Sequence, residues 1–85
     1  MQAHEKISEI LSELTGIDSI NTKDSLQADL GLNSIQMVTL LIMIEDTFGI
    51  FLNEEDMNPY DLVYVYQIID MVKKYIKGDE NEENQ

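Results

Sequence analysis

The segment from Ser34 to Phe48 most constrains the fold, because an apolar periodic stretch is bounded sharply at both ends. A glycine-containing loop leads into it, and Gly49 follows it, as glycine often does after the last turn of a helix. Its apolar residues recur near the i, i+3, i+4, i+7 spacing of an amphipathic helix: Ile35, Val38, Leu41, Ile42, Ile44 and Phe48. We predict a helix over about 34–48 that buries this set.

Ser34 stands at the predicted N-terminus of this helix, where two roles suit a serine. Serine is among the preferred N-cap residues, so its hydroxyl could simply accept a backbone hydrogen bond. Alternatively, the unpaired N–H groups and the positive end of the helix dipole could stabilise a phosphate esterified to the hydroxyl. Position alone leaves both roles open.

The chain before Ser34 predicts one helix and one long loop. The first helix carries an apolar stripe, and Gly16 is expected to end it. From Ile17 to Asn33 the periodicity is lost, and a connection of this length is more often functional than idle. The stripe consists of Ile7, Ile10, Leu11 and Leu14, and the loop contributes Ile17, Ile20, Leu26 and Leu30 as isolated apolar anchors.

The chain after Gly49 predicts two more helices. Asn58 followed by Pro59 indicates a short helix through about Val63. A last helix is expected to close at Gly78, with lysines in its final turns beside the negative end of the dipole. Its buried stripe would be Val65, Ile68, Ile69, Val72 and Ile76, and its lysines are Lys73, Lys74 and Lys77. We therefore expect an all-α domain over 1–78 and an acidic, disordered tail over 79–85.

Composition restricts the functional classes. The 85 residues suffice for one modest core, and 17 acidic against 5 basic residues give a net charge of -12. This charge opposes binding to nucleic acid or an anionic membrane and favours basic protein partners. No apolar run is long enough to span a bilayer, and no signal peptide is evident, so we expect a cytoplasmic protein.

The sequence shows no arrangement of residues that is typical of catalysis or metal binding. The single histidine, His4, lies near the N-terminus, and the residues around Ser34 do not form a Gly-x-Ser-x-Gly elbow. The acidic run 54–56 lacks the ligand alternation and central glycine of an EF-hand, and there is no cysteine. We expect neither an enzyme nor a metal protein.

The run Asp29-Leu30-Gly31-Leu32-Asn33-Ser34-Ile35 closely resembles the attachment motif of the acyl and peptidyl carrier proteins. The similarity extends from about Ile7 to Ile76. The resemblance implies a four-helix bundle of the acyl-carrier-protein type, with a long loop between helices 1 and 2 and a short third helix. It also implies a 4′-phosphopantetheine arm on Ser34, whose terminal thiol would hold an acyl group as a thioester.

The same resemblance assigns roles to the residues around Ser34. Asp29, Gly31 and Asn33 would present the serine, and Asn33 stands where most family members have aspartate. Because asparagine keeps an oxygen acceptor but loses the charge, arm attachment could be slower in this chain. The partner-binding residues would be Ile35, Met37, Ile42, Glu45 and Asp46, although Ile35 and Ile42 also fit a core role and the two carboxylates also fit a solvated face.

The implied partners are a phosphopantetheinyl transferase and acyl-transferring and condensing enzymes with basic docking surfaces, serving a monomeric carrier. The carrier would shuttle acyl intermediates of fatty acid, polyketide or related biosynthesis. Two alternatives stay open: an aminoacyl, D-alanyl or peptidyl carrier of a dedicated pathway, and a helical interaction module that never receives the arm. Residues 34–44 contain no acidic side chain, which favours a dedicated partner over a housekeeping fatty acid synthase.

Overall fold

Three α-helices and two 3-10 turns make up the ordered framework. The computed structural model describes residues 3–84, and it describes side chains as far as Ile76. Helix α1 spans Ala3–Thr15, α2 spans Ser34–Phe48 and α3 spans Val65–Asn84. The 3-10 turns Glu54–Met57 and Pro59–Asp61 lie between α2 and α3. The all-helical prediction is confirmed.

The predicted short third helix is replaced by the two 3-10 turns, so the described residues form three α-helices rather than four. Asn58 separates the turns in an extended conformation, with φ -78° and ψ 110°. The residue before a proline is pushed away from the helical region, because the proline ring collides with its backbone. The Asn58 side chain then accepts a hydrogen bond from the N–H of Tyr60, as predicted for an N-cap.

The C-terminal end of α1 and both limits of α2 agree with the prediction. Gly16 adopts a φ of 80°, and its N–H donates to the carbonyl oxygen of Ser12 at 2.7 Å. Gly49 adopts a φ of 66°, and its N–H donates to the carbonyl oxygen of Glu45. A left-handed glycine after the last turn satisfies carbonyls that have no partner within the helix.

The buried face of α2 differs from the prediction. Met37, Leu40, Leu41 and Ile44 are buried, whereas Ile35, Val38 and Ile42 are 77%, 45% and 54% exposed. The segment is apolar on nearly all sides, so its spacing does not define one face. The contacts of α2 with α1 and with the turn Pro59–Asp61 select the face instead.

The long loop is attached to the core and to the start of α3. Leu26 and Leu30 are buried, as predicted, and Leu32 is buried with them. The N–H of Leu26 donates to the carbonyl oxygen of Val63 at 2.8 Å, and the N–H of Val65 donates to that of Asp24 at 3.0 Å. These bonds hold the loop that precedes Ser34 beside the N-terminus of α3.

Polar side chains fix the segment between α2 and α3. A carboxylate oxygen of Glu45 accepts from the N–H of Leu52 at 2.8 Å. The Tyr75 hydroxyl accepts from the N–H of Asn53 at 2.8 Å and donates to a carboxylate oxygen of Asp56 at 2.5 Å. Lys74 also pairs with Asp56, at 3.7 Å. The 3-10 region is therefore held against α3 by contacts far apart in sequence.

Helix α3 continues beyond its predicted end. Its buried residues include Val65, Ile68, Ile69 and Val72, as predicted, but the backbone stays helical through Gly78 to Asn84. Glycine inside a helix costs only about 1 kcal/mol, so Gly78 need not end it. The three lysines therefore lie before the last turn. Side chains from position 77 onward, and the whole of Gln85, lie outside the described residues, so the division into 1–78 and a tail over 79–85 stays a prediction.

Candidate functional site

Ser34 is the first residue of α2, and the residue before it caps the helix. Asn33 is extended, with φ -91° and ψ 179°, and its side-chain oxygen accepts from the N–H of Gln36 at 2.8 Å. In return, the side-chain oxygen of Gln36 accepts from the N–H of Asn33 at 3.1 Å. This reciprocal pair is a capping box. The capping role considered for Ser34 therefore belongs to Asn33.

The Ser34 side chain is consequently available. Ser34 is exposed, and its hydroxyl has no hydrogen-bond partner among the residues that the structure describes. It lies at the positive end of the α2 dipole, and the first turn of α2 contains no acidic residue. An exposed hydroxyl in this field suits a phosphate ester, because the free N–H groups and the dipole favour negative charge there.

The polar residues expected to present the serine are hydrogen-bonded to backbone N–H groups. The structure shows no hydrogen bond from Asn33 or Asp29 to the Ser34 hydroxyl. Asn33 fixes the first turn of α2. Asp29 accepts from the N–H of Ser25 at 2.7 Å, and so closes a turn in the loop. Presentation of Ser34 by these two residues stays a prediction. Their effect on the serine would come from the shape they give to the loop and to the first turn of α2.

Gly31 is required by the backbone conformation rather than by crowding. Its φ is 74°, in the left-handed region that other residues rarely adopt. A Cβ added to it would meet nothing within 4 Å, and the residue is exposed. Leu30 and Leu32 are buried on either side of it. Gly31 thus lets two anchors enter the core while leaving the space outside the loop open.

The candidate docking residues on α2 fall into two groups. Ile35 and Ile42 are exposed together with Val38, whereas Met37 is fully buried. Met37 is therefore a core residue, and its expected role in partner binding is wrong, because a partner could not contact it in the folded chain. We define Ile35, Val38 and Ile42 as the apolar row of α2.

The two carboxylates at the end of α2 also differ from one another. Glu45 is half-buried and bonded to the N–H of Leu52, whereas Asp46 is exposed. A groove of about 470 Å³ opens beside them, and its wall includes Phe51, which is 88% exposed. Sequence reasoning missed Phe51, since a single exposed aromatic residue in a short loop has no periodicity.

Other chemistry receives no support from the described part of the chain. Among the described side chains, which end at Ile76, no three histidine, cysteine or acidic groups cluster as metal ligands would. His4 is exposed on the first turn of α1. No helix within residues 3–84 has the length and apolar character to cross a membrane. The free hydroxyl at the start of α2 remains the best-defined site.

Comparison with known proteins gives a consistent result. Residues 5–72 match the family described as the phosphopantetheine attachment site. An acyl carrier protein of Myxococcus xanthus is 31% identical over 68 residues, which cover 78% of this chain and 84% of that protein. An acyl carrier protein of Phytoplasma mali is 34% identical over 73 residues, covering 78% of this chain and 87% of that protein.

Two further matches extend the comparison. The non-reducing polyketide synthase dbaI of Emericella nidulans is 35% identical over 79 residues, which are 92% of this chain but only 3% of the synthase. The crystal structure of an acyl carrier protein from Thermotoga maritima superposes with a TM-score of 0.75 at 25% identity. That superposition covers 92% of this chain and 94% of the other.

Proposed function

We propose that this chain, which belongs to the acyl carrier protein family, carries the 4′-phosphopantetheine arm of that family on the Ser34 hydroxyl and shuttles acyl thioesters between enzymes. Members of this family are not themselves catalytic. The family is described as the phosphopantetheine attachment site. The observation that supports Ser34 is its geometry: it is exposed, has no hydrogen-bond partner among the described residues and occupies the first position of α2.

Each neighbouring residue has a defined part in this proposal. Asn33 and Gln36 form the capping box through reciprocal side-chain to backbone hydrogen bonds, so the Ser34 oxygen is not needed to cap the helix. Gly31 leaves the outer side of the loop open to a phosphopantetheinyl transferase. The first-turn N–H groups of α2 favour the phosphodiester that joins the arm to the serine. The arm supplies the terminal thiol to which an acyl group is esterified.

Ser34 acts as a passive acceptor in this proposal. Activation of a serine requires a general base within hydrogen-bond reach, and no described side chain forms a hydrogen bond with the Ser34 hydroxyl. The transferase must therefore supply the base. We further propose that the protein is located in the cytoplasm and that it is a monomer.

Docking is proposed to depend on the apolar row of α2. Ile35, Val38 and Ile42 lie on the helix that begins at Ser34, and no acidic residue lies between Ser34 and Ile44. The overall charge of -12 can still attract a basic enzyme, but local charge pairs along this part of α2 are missing. This favours a dedicated acyl or aminoacyl partner over a general fatty acid synthase.

Malonyl transfer and elongation by purified fatty acid synthase enzymes test the choice of pathway. We expect turnover well below that of a carrier with an acid-rich second helix, and weak dependence on salt. Replacing Ile42 by aspartate supplies a matched variant, which should raise turnover with such a synthase. Turnover of the unaltered chain equal to that of the acid-rich carrier, with steep loss at high salt, would assign it to primary fatty acid synthesis.

A further inference from the structure

Two exposed tyrosines form a stacked pair at the start of α3. The ring centroids of Tyr64 and Tyr66 are 5.4 Å apart, and the ring planes differ by 8°. Tyr64 is 40% exposed and Tyr66 is 44% exposed. We call these two residues the tyrosine pair. Its rings pack on each other rather than into the core.

A buried residue separates the two tyrosines along the chain. Tyr64 forms an isolated antiparallel bridge with Ser25, and Val65 between the tyrosines is 1% exposed. Val65 is the first residue of α3, and it is buried in the core while the tyrosines on either side of it are partly exposed. The core requires the residue at position 65 to be apolar. It does not require aromatic residues at positions 64 and 66, where smaller polar side chains would satisfy the fold.

Acidic residues lie on the chain segments next to the tyrosine pair. The backbone carbonyl oxygen of Asp24 accepts a hydrogen bond from the N–H of Val65. A carboxylate oxygen of Asp29 accepts from the N–H of Ser25, which is the bridge partner of Tyr64. Asp61 lies three residues before Tyr64, and Asp29 and Asp61 are exposed. Residues 22–29 and 61–67 together contain three aspartates and one lysine, so these two segments carry a net negative charge.

We propose that the tyrosine pair is a second docking surface, which receives an arginine side chain from a partner protein. A guanidinium is planar and cationic, so it can stack on the outer face of a tyrosine ring while its N–H groups reach a carboxylate at the edge. Rigid aromatic rings are also common anchors of protein interfaces, because they offer a large contact area with few rotatable bonds. The combination of stacked rings and net negative charge on the adjoining segments favours arginine over an apolar side chain.

The surface is distinct from the apolar row of α2, but it is linked to the loop before Ser34. The carbonyl oxygen of Val63 accepts from Leu26, and that of Leu26 accepts from Leu32, two residues before Ser34. A partner that holds the tyrosine pair would thus contact the same loop region that leads to the serine. The inference does not require the arm, because none of its contacts involves Ser34.

The test uses the unmodified chain and two synthetic peptides, acetyl-Gly-Arg-Gly-Arg-Gly-amide and its counterpart with lysine in place of arginine. NMR titration of the isotope-labelled chain measures the affinity and locates the contact. We expect the arginine peptide to shift backbone signals of residues 22–25 and 63–67, and to bind about threefold to fivefold more tightly than the lysine peptide.

Variants separate the rings from general charge attraction. Replacing both Tyr64 and Tyr66 by leucine should remove the preference for arginine, whereas Tyr66→Phe should retain it. Tyr60→Leu is the matched control, because Tyr60 is 83% exposed and is not part of the pair, and this variant should bind as the parent does. If the double variant does not fold, Tyr66→Leu alone serves the same purpose. Equal affinity for the two peptides, an unchanged preference in the leucine variants, or shifts confined to other acidic surfaces would overturn the proposal.

Discussion

The side-chain oxygen of Asn33 accepts a hydrogen bond from the N–H of Gln36 at 2.8 Å, and this contact relieves Ser34 of the task of capping α2. The serine can then be exposed at the first helical position with its hydroxyl unused. Asn33, which stands where the family motif usually has aspartate, therefore still caps α2, although its side chain lacks the negative charge.

The capping role of Asn33 predicts a stability difference between two substitutions. Asn33→Ala should lower the free energy of unfolding by about 0.5–2 kcal/mol, because the N–H of Gln36 loses its partner. Asn33→Asp should preserve stability, since aspartate caps as well and its charge suits the positive end of α2. Urea denaturation of the two variants and the parent measures both effects. An alanine variant as stable as the parent would show that the capping box contributes nothing.

Asn33→Asp also carries a functional prediction. Restoring the carboxylate that the family motif usually has should speed loading of the arm by a broad transferase. Initial rates of arm transfer, measured by mass spectrometry for the parent and the variant, give the comparison. Because stability should be unchanged, a rate difference would report on recognition. An equal or slower rate in the variant would indicate a transferase that reads asparagine.

The start and end of α2 could be predicted from sequence, because caps are local. Gly49 in the left-handed region and the change from loop to apolar helix both depend on residues within one turn. The spacing of Asn33 and Gln36 also signals a capping box, and sequence reasoning overlooked it. The buried face of α2 could not be predicted, because Met37 and Ile35 are both apolar and only contacts with elements distant in sequence distinguish them.

This packing predicts how core and surface substitutions will differ. Leu41→Ala should cost about 2–5 kcal/mol, because Leu41 is fully buried and its loss leaves a cavity. Phe48→Ala should lower the free energy of unfolding by less than the truncation of a fully buried phenylalanine would, since Phe48 is only partly buried. Ile35→Ala, at a 77% exposed position, should change stability by less than about 0.5 kcal/mol. Thermal unfolding of the three variants would contradict this assignment if Ile35→Ala were the most damaging.

The contacts of Tyr75 predict a loss of stability at high pH. Partial burial, followed by the hydrogen bond and charge of Asp56 and the charge of Glu55, raises the pKa of Tyr75 above its ordinary value of 10.0, although the N–H of Asn53 opposes this. Folding therefore favours the protonated phenol. Its contribution to stability is fully present below pH 10 and is lost as the pH rises through the raised pKa.

Urea denaturation of the parent and of Tyr75→Phe, from about pH 8 to about pH 11, tests this contribution. The phenylalanine variant should be less stable than the parent near neutral pH, and the difference should shrink as the pH rises. The two proteins differ only at position 75, so the comparison isolates Tyr75. A difference that stays constant over the range would show that Tyr75 does not titrate against the 3-10 segment.

The contacts of this segment also show where sequence reasoning stops. Tyr75 and Asn53 are 22 residues apart, and no local pattern signals their hydrogen bond. The 3-10 turns form because Asn58 precedes a proline and because α3 holds the segment at Asp56. Propensity indicates a turn or helix here, while long-range contacts decide which.

The central claim is that the arm is attached to Ser34, and the mass of the intact chain tests it most directly. The chain and its Ser34→Ala variant are incubated with coenzyme A, magnesium and a broad phosphopantetheinyl transferase. We expect the parent to gain the mass of one phosphopantetheine, on the peptide that contains Ser34, and the folded variant to gain none. A parent that stays unmodified with every transferase tried, or an alanine variant that still gains the arm, would contradict the claim.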